Sequence, residues 1–282
     1  MYRLTNSWEL IKASWKVLLA DKELMIFPIL SSIGVMLVTA TFAVPLFAGN
    51  ILDGLSNGGS LIYFIILFLY YIVQYFVIFF ANTALVGAAL IRIKGGDPTV
   101  NDGFKIASSR FGPILGYALI AATVGVLLSM LRNSKKRSGG RDIVSSLIGF
   151  AWTVATFLVV PILAIENVGP IEAIKRSVMY LKKTWGEQLI SNFGVSLVFN
   201  IITAVVFVLF IGALVLAAYL EAGVAIFVIL GILFVLVLLA IGLIRSTLGG
   251  IFSAAVYQYA TTGQAGEFFD QKMVAESFTS QS

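Results

Sequence analysis

The sequence predicts an all-α, polytopic membrane protein with six transmembrane helices arranged as three hairpins, each preceded by an interfacial amphipathic helix. Three observations carry this expectation. Of 282 residues, 59% are hydrophobic and 12% charged, against about 25% charged in a soluble domain, so most apolar side chains must face lipid or one another. Five to six apolar runs exceed the roughly 20 residues that a helix needs to cross the hydrocarbon, and six spans are read from them. A short motif, ELIKAS at Glu9–Ser14 and EAIKRS at Glu172–Ser177, stands before two of these runs and shares four identities in six positions.

The first 24 residues interleave Arg3, Glu9, Lys12, Lys16, Asp21, Lys22 and Glu23 with apolar residues. Such a segment lacks the uninterrupted apolar core of a secretory signal, so no cleavable signal is expected. Trp8, Ile11, Trp15 and Leu18 follow i, i+3, i+7, i+10, one face of a helix. A helix of this kind lies in the membrane interface, with lysines reaching headgroups and tryptophans at headgroup level.

The six spans are Met25–Ala48, Leu61–Ile91, Gly112–Leu131, Ile143–Ile165, Gln188–Tyr219 and Ala222–Tyr259. The second, fifth and sixth exceed what a bilayer requires, so they must tilt, bend or project beyond it. The second and sixth change character part-way, to ANTALVGAAL at Ala81–Leu90 and RSTLGGIFSAAV at Arg245–Val256. Small residues let helix backbones approach closely, so these halves are expected to pack against other helices.

Before the fifth span, Ile171, Ile174, Val178 and Leu181 repeat the spacing of the first stripe and continue to Trp185, with Glu172 and Lys175 matching Glu9 and Lys12. A middle unit begins at Asn101–Pro113, where Asp102 and Lys105 keep the acid-to-lysine spacing but the apolar stripe is poor. The chain is therefore read as one membrane domain over residues 1–262, with repeat units of about 4–96, 97–168 and 169–262 and a polar, flexible tail over 263–282. The three surface helices share a face, so the repeat is parallel rather than inverted.

Lysine and arginine in short connections set the orientation. Basic residues crowd the N-terminal segment, Arg92–Arg110 and Lys175–Lys183, and are absent around Asp53 and Glu221. Both termini are expected in the cytoplasm of a multi-pass cell-membrane protein. The loop Arg132–Asp142, with five basic residues, falls outside in this topology and conflicts with it.

The run Trp152–Gly186 resembles a family of uncharacterised prokaryotic integral membrane proteins. Trp152, Thr156, Pro161, Glu166, Gly169, Pro170, Ala173, Lys175, Arg176, Ser177, Trp185 and Gly186 carry the resemblance, which extends from about Leu4 to Gly263. The acidic residue, Gly-Pro and basic helix before a span are more loosely similar to the membrane domain of glycerophosphodiester phosphodiesterases. Both likenesses imply a multi-span helical domain and no defined activity.

The chain has no Cys and no His, which removes the common zinc sites, haem ligation, thiol catalysis, imidazole relays and disulfides. No catalytic residue, metal site or cofactor is expected, and the protein is read as not an enzyme. Glu166, near a membrane boundary, is read as a helix-end charge beside Pro170. Two roles stay open for Arg245: lining a polar path or gripping a lipid phosphate, and snorkelling to the interface. Asn82, with Gln74, Thr83, Asn192 and Asn200, is explained by interhelical hydrogen bonds. The run Ser134–Gly140 lacks Walker-loop spacing and reads as a solvated loop.

Lys12, Lys16, Lys175, Arg176, Lys182 and Lys183 are the candidate lipid-headgroup contacts, with Arg245, Glu166 and Asn82 as further polar contacts. The expected partners are anionic membrane lipids, with a protein partner or a second copy as the other choice. Nucleic acid is not expected, because the basic residues sit where membrane topology places them. The leading function is a non-catalytic lipid- or partner-binding scaffold of a membrane assembly. The alternative is a transporter or channel for a small solute or lipid, its path lined by Asn82, Asn192 and Arg245.

Overall fold

Hydrocarbon offers no water to satisfy backbone N–H and C=O groups, so long apolar runs close those bonds within themselves as helices. The computed structural model describes residues 2–48, 61–132, 139–185, 194–221 and 223–275, and these are all-helical with short connections. In order they form α1 (Tyr2–Ala20), a 3-10 turn (Lys22–Met25), α2 (Ile26–Ala48), α3 (Leu61–Ile93), α4 (Val100–Ser109) and α5 (Phe111–Arg132). Then come α6 (Gly139–Ala155), α7 (Val159–Ile165), α8 (Pro170–Trp185), α9 (Gly194–Tyr219), α10 (Val224–Thr262) and α11 (Gln271–Ala275). The loop around Asp53, Ser134–Arg137 of the basic loop, Gln188, Asn192 and residues 276–282 of the tail lie outside the described residues.

Six stretches among the described residues are long and apolar enough to span a membrane, in the places the sequence predicts. They pair as hairpins, α2 with α3, α5 with α6 and α9 with α10. The fourth span is broken, however, at residues 156–158. Pro161 explains the break: its ring clashes with the carbonyl four residues earlier, at Phe157, and it offers no N–H to continue the ladder.

The core forms where the second half of α3 crosses the second half of α10. Ala84, Leu85, Ala88, Ala89 and Ile93 meet Leu248, Ile251, Ala254, Ala255 and Val256, all of them buried. Close approach is built in by small residues: a Cβ added at Gly250 would lie 2.5 Å from the Leu85 side chain. The first halves of both helices behave differently. Ile65 and Leu69 on α3, and Val228, Ile232, Val235 and Leu236 on α10, are exposed apolar side chains, as a lipid-facing surface requires.

The surface helices sheath this core. α1 packs on α9 and α10, α4 packs on α3, and α8 packs on α5, α6, α7 and α10. The α4 N-terminus is closed by a capping box in which Thr99 Oγ1 accepts from Asp102 N–H and the Asp102 carboxylate accepts from Thr99 N–H.

Their buried faces take in only part of the bulky apolar stripes of the sequence. Leu10, Ser14 and Leu18 of α1, Gly103 and Ala107 of α4, and Ala173, Ser177 and Leu181 of α8 turn inward, while Trp8, Trp15, Ile171 and Val178 are exposed. Small side chains are selected where a helix lies close on its neighbours. Half of each stripe is thereby left facing outward.

Residues 263–275 also pack against the bundle. Ala265, Phe269 and Val274 are buried in the core cluster, and α11 touches α1 and α10, so packed structure continues past the boundary drawn at residue 262.

Candidate functional site

Glu166 gathers the largest polar cluster where α7 ends. Its extended backbone stops the helix, with its N–H donating to Ile162 O at 2.7 Å, and Pro170 then starts α8 with its ring fixing the first-turn φ. The carboxylate Oε2 accepts from Arg176 Nη1 at 2.5 Å, and Oε1 accepts from both Tyr180 Oη and Tyr257 Oη at 3.0 Å. Arg176 Nε also donates to Glu172 Oε1 at 3.1 Å, one turn back on α8. This single carboxylate ties α7 and α8 to α10.

The electrostatics follow from the contacts. Hydrogen bonds donated to Glu166 and then to Glu172 hold the Arg176 guanidinium above its ordinary range. Burial, and then the Glu166 carboxylate, push the Tyr180 phenol up. Three donors thus meet the two oxygens of Glu166, filling three of the roughly four lone-pair sites of a carboxylate.

A second cluster lies at the same end of the bundle. Arg92, at the end of α3, donates to Asp21 Oδ2 at 3.4 Å and also pairs with Asp97. Asp21 is buried, and that burial raises its pKa although Arg92 opposes the shift. Val100 N–H donates to Glu23 Oε2 at 3.3 Å, and Arg110 Nη1 to Asn167 Oδ1 at 2.6 Å. These bonds join the start of α4 to the 3-10 turn before α2, and the junction of α4 with α5 to the segment before α8.

The predicted contact residues separate into two groups. Arg176 pairs with Glu166 and Glu172 and is partly buried between them. Arg245 donates to Asn200 at 3.3 Å and does not reach Glu166. Asn82 is half-buried on α3, and Gln74 Oε1, about two turns earlier on the same helix, is buried with no hydrogen-bond partner among the described residues. In contrast, Lys16, Lys175, Lys182 and Lys183 are exposed, and among the described residues no ion pair holds them. Lys12 pairs with Glu9 at 2.8 Å and sits 6.0 Å from the Trp8 ring centroid.

Tyr257, Tyr180, Asp21 and Arg92 were not legible as site residues. Tyr257 meets Glu166 across 91 positions, and no local spacing signals such a contact. Among the described residues no group of three or more Asp or Glu side chains is placed to hold a metal ion.

A family model described as a family of unknown function, DUF6159, matches residues 61–268. No curated protein and no solved structure matches the chain. The match agrees with the likeness to an uncharacterised membrane-protein family, whereas the likeness to glycerophosphodiester phosphodiesterases receives no support.

Proposed function

The chain belongs to the DUF6159 family, and we propose that it is a non-catalytic, multi-pass membrane protein whose surface helices bind anionic lipids, serving as a scaffold within a membrane assembly. One observation carries this reading. Lys16, Lys175, Lys182 and Lys183 are exposed without ion pairs among the described residues, beside exposed Trp8, Trp15, Ile171 and Val178. Cations without counter-ions next to outward apolar side chains suit the headgroup layer, where each basic residue contributes about 1 kcal/mol toward anionic lipid. The same charges favour a cell-membrane location with both termini cytoplasmic.

The packing also supports the three-unit organisation. Each surface helix rests on the hairpin of the unit before it: α4 on α3, α8 on α5 to α7, and α1 on α9 and α10, which closes the ring. The non-catalytic reading is supported by Glu166, whose charge is met by Arg176 and whose oxygens are occupied by tyrosines. Nothing among the described residues favours the alternative of a transporter or channel: Arg245 is engaged with Asn200, and Asn192 lies outside them.

The test replaces Lys175, Lys182 and Lys183 with Gln and measures the ratio of phosphatidylglycerol to phosphatidylcholine carried through purification from mixed vesicles. The ratio should fall several-fold. An unchanged ratio in a folded triple variant would refute anionic-lipid binding by α8.

A further inference from the structure

We infer that the groove between α1 and the α9–α10 hairpin is a dedicated site for one anionic phospholipid, an inference that rests on the lipid-binding reading above. The groove has a volume of about 500 Å³, within the range of small-molecule sites. Its floor is Phe199 and Leu248, both buried, with Ile202, Ile241 and Ile244 as walls. Trp8, Lys12, Trp15 and Lys16 of α1 line the other side.

Two features identify the occupant. The first is charge. Lys16 has no ion pair among the described residues, and Lys12 shares its charge with Glu9, so this side of the groove carries one net positive charge over an apolar floor. An anionic phosphate beside Lys12 and Lys16, with tryptophan rings at its level, complements that arrangement.

The second is continuity. Ile202 continues along α9 to Val205 and Leu209, and Ile241 continues back along α10 to Val237 and Leu233, all four of which are exposed apolar side chains. An acyl chain lying on the floor therefore runs onto a lipid-facing surface. The depth agrees: Arg245 stands 21 residues beyond Val224, about 32 Å along the helix, close to the roughly 30 Å of a hydrocarbon core. The groove thus falls at a bilayer boundary, where a headgroup sits.

Native mass spectrometry of the full chain, released from vesicles of phosphatidylglycerol and phosphatidylcholine, tests the site. One phosphatidylglycerol should survive stepwise delipidation. Lys12→Gln/Lys16→Gln should weaken its retention about 10-fold, and Ile244→Trp, which fills the groove and leaves the charges intact, should remove it. Lys175→Gln/Lys182→Gln/Lys183→Gln should keep this lipid while lowering the bulk phosphatidylglycerol ratio. Retention unchanged in both groove variants overturns the inference. So does a wild-type protein that enriches phosphatidylglycerol in bulk yet keeps no tightly held copy, or one whose groove is filled by a second chain in a lipid-free dimer; the scaffold reading survives both. Loss of bulk enrichment in the wild type removes both ideas.

Discussion

The backbone N–H of Leu158 donates to the hydroxyl of Ser177 at 3.1 Å in the protein interior. The break that Pro161 imposes on the fourth span frees backbone groups that a continuous helix would satisfy, and the α8 serine supplies one of the missing acceptors. Removing it leaves a buried donor unpaired, which costs about 1–3 kcal/mol. Ser177→Ala should lower the thermal unfolding temperature in detergent, while Ser108→Ala, at an exposed position of α4, should not.

Tyr257 reaches Glu166 from α10, and Tyr180 reaches it from α8, with their rings edge-to-face at 6.3 Å. A hydrogen bond to a charged group contributes about 1.5–3 kcal/mol. Tyr257→Phe should therefore destabilise by about that amount, and Glu166→Ala by more, because it leaves Arg176 and both hydroxyls without their shared partner. Denaturant unfolding of the three proteins checks the order; equal stability of Glu166→Ala and wild type would remove the carboxylate from its central position.

Gly103 sets how closely α4 lies on the core. A Cβ there would fall 2.4 Å from Phe27 Cζ and 2.8 Å from the Ala84 carbonyl oxygen, and the second of these is backbone that cannot rotate away. Overpacking of this kind costs about 1–3 kcal/mol. Gly103→Val should lower stability, whereas Gly112→Ala, where an added Cβ meets nothing within 4 Å, should be tolerated.

The capping box gives a pH dependence. Hydrogen bonds from the Thr99 side chain and backbone hold the Asp102 pKa below its ordinary 3.8. A carboxyl with a lowered folded pKa adds stability that is present above 3.8 and is lost as pH falls through the folded value. Asp102→Asn should thus be less stable than wild type at pH 6, with the gap closing under acid below pH 3.8; a gap that stays constant would show that the charge is not what stabilises the cap.

Span positions were legible because apolar length dictates them: every predicted run overlaps an observed membrane-spanning stretch. The interruption inside the fourth span was not, since Pro161 lies close enough to Glu166 to read as part of a helix end. The surface helices were legible as amphipathic, but their inward faces were not. Ala173 and Ser177 are buried because α8 lies close to its neighbours, a steric demand that no hydrophobicity pattern records. The basic residues were visible as charges in sequence; which of them form ion pairs among the described residues depended on where Glu9, Glu166 and Glu172 came to lie.

The most direct measurement is the thermal unfolding temperature of the purified protein on adding phosphatidylglycerol or phosphatidylcholine at equal concentrations. A ligand that binds only the folded state raises stability as RT ln(1 + [L]/Kd). Recognition by the exposed lysines predicts a clear rise with phosphatidylglycerol, little with phosphatidylcholine, and a smaller difference at high salt. Equal shifts with the two lipids at every salt concentration would contradict it.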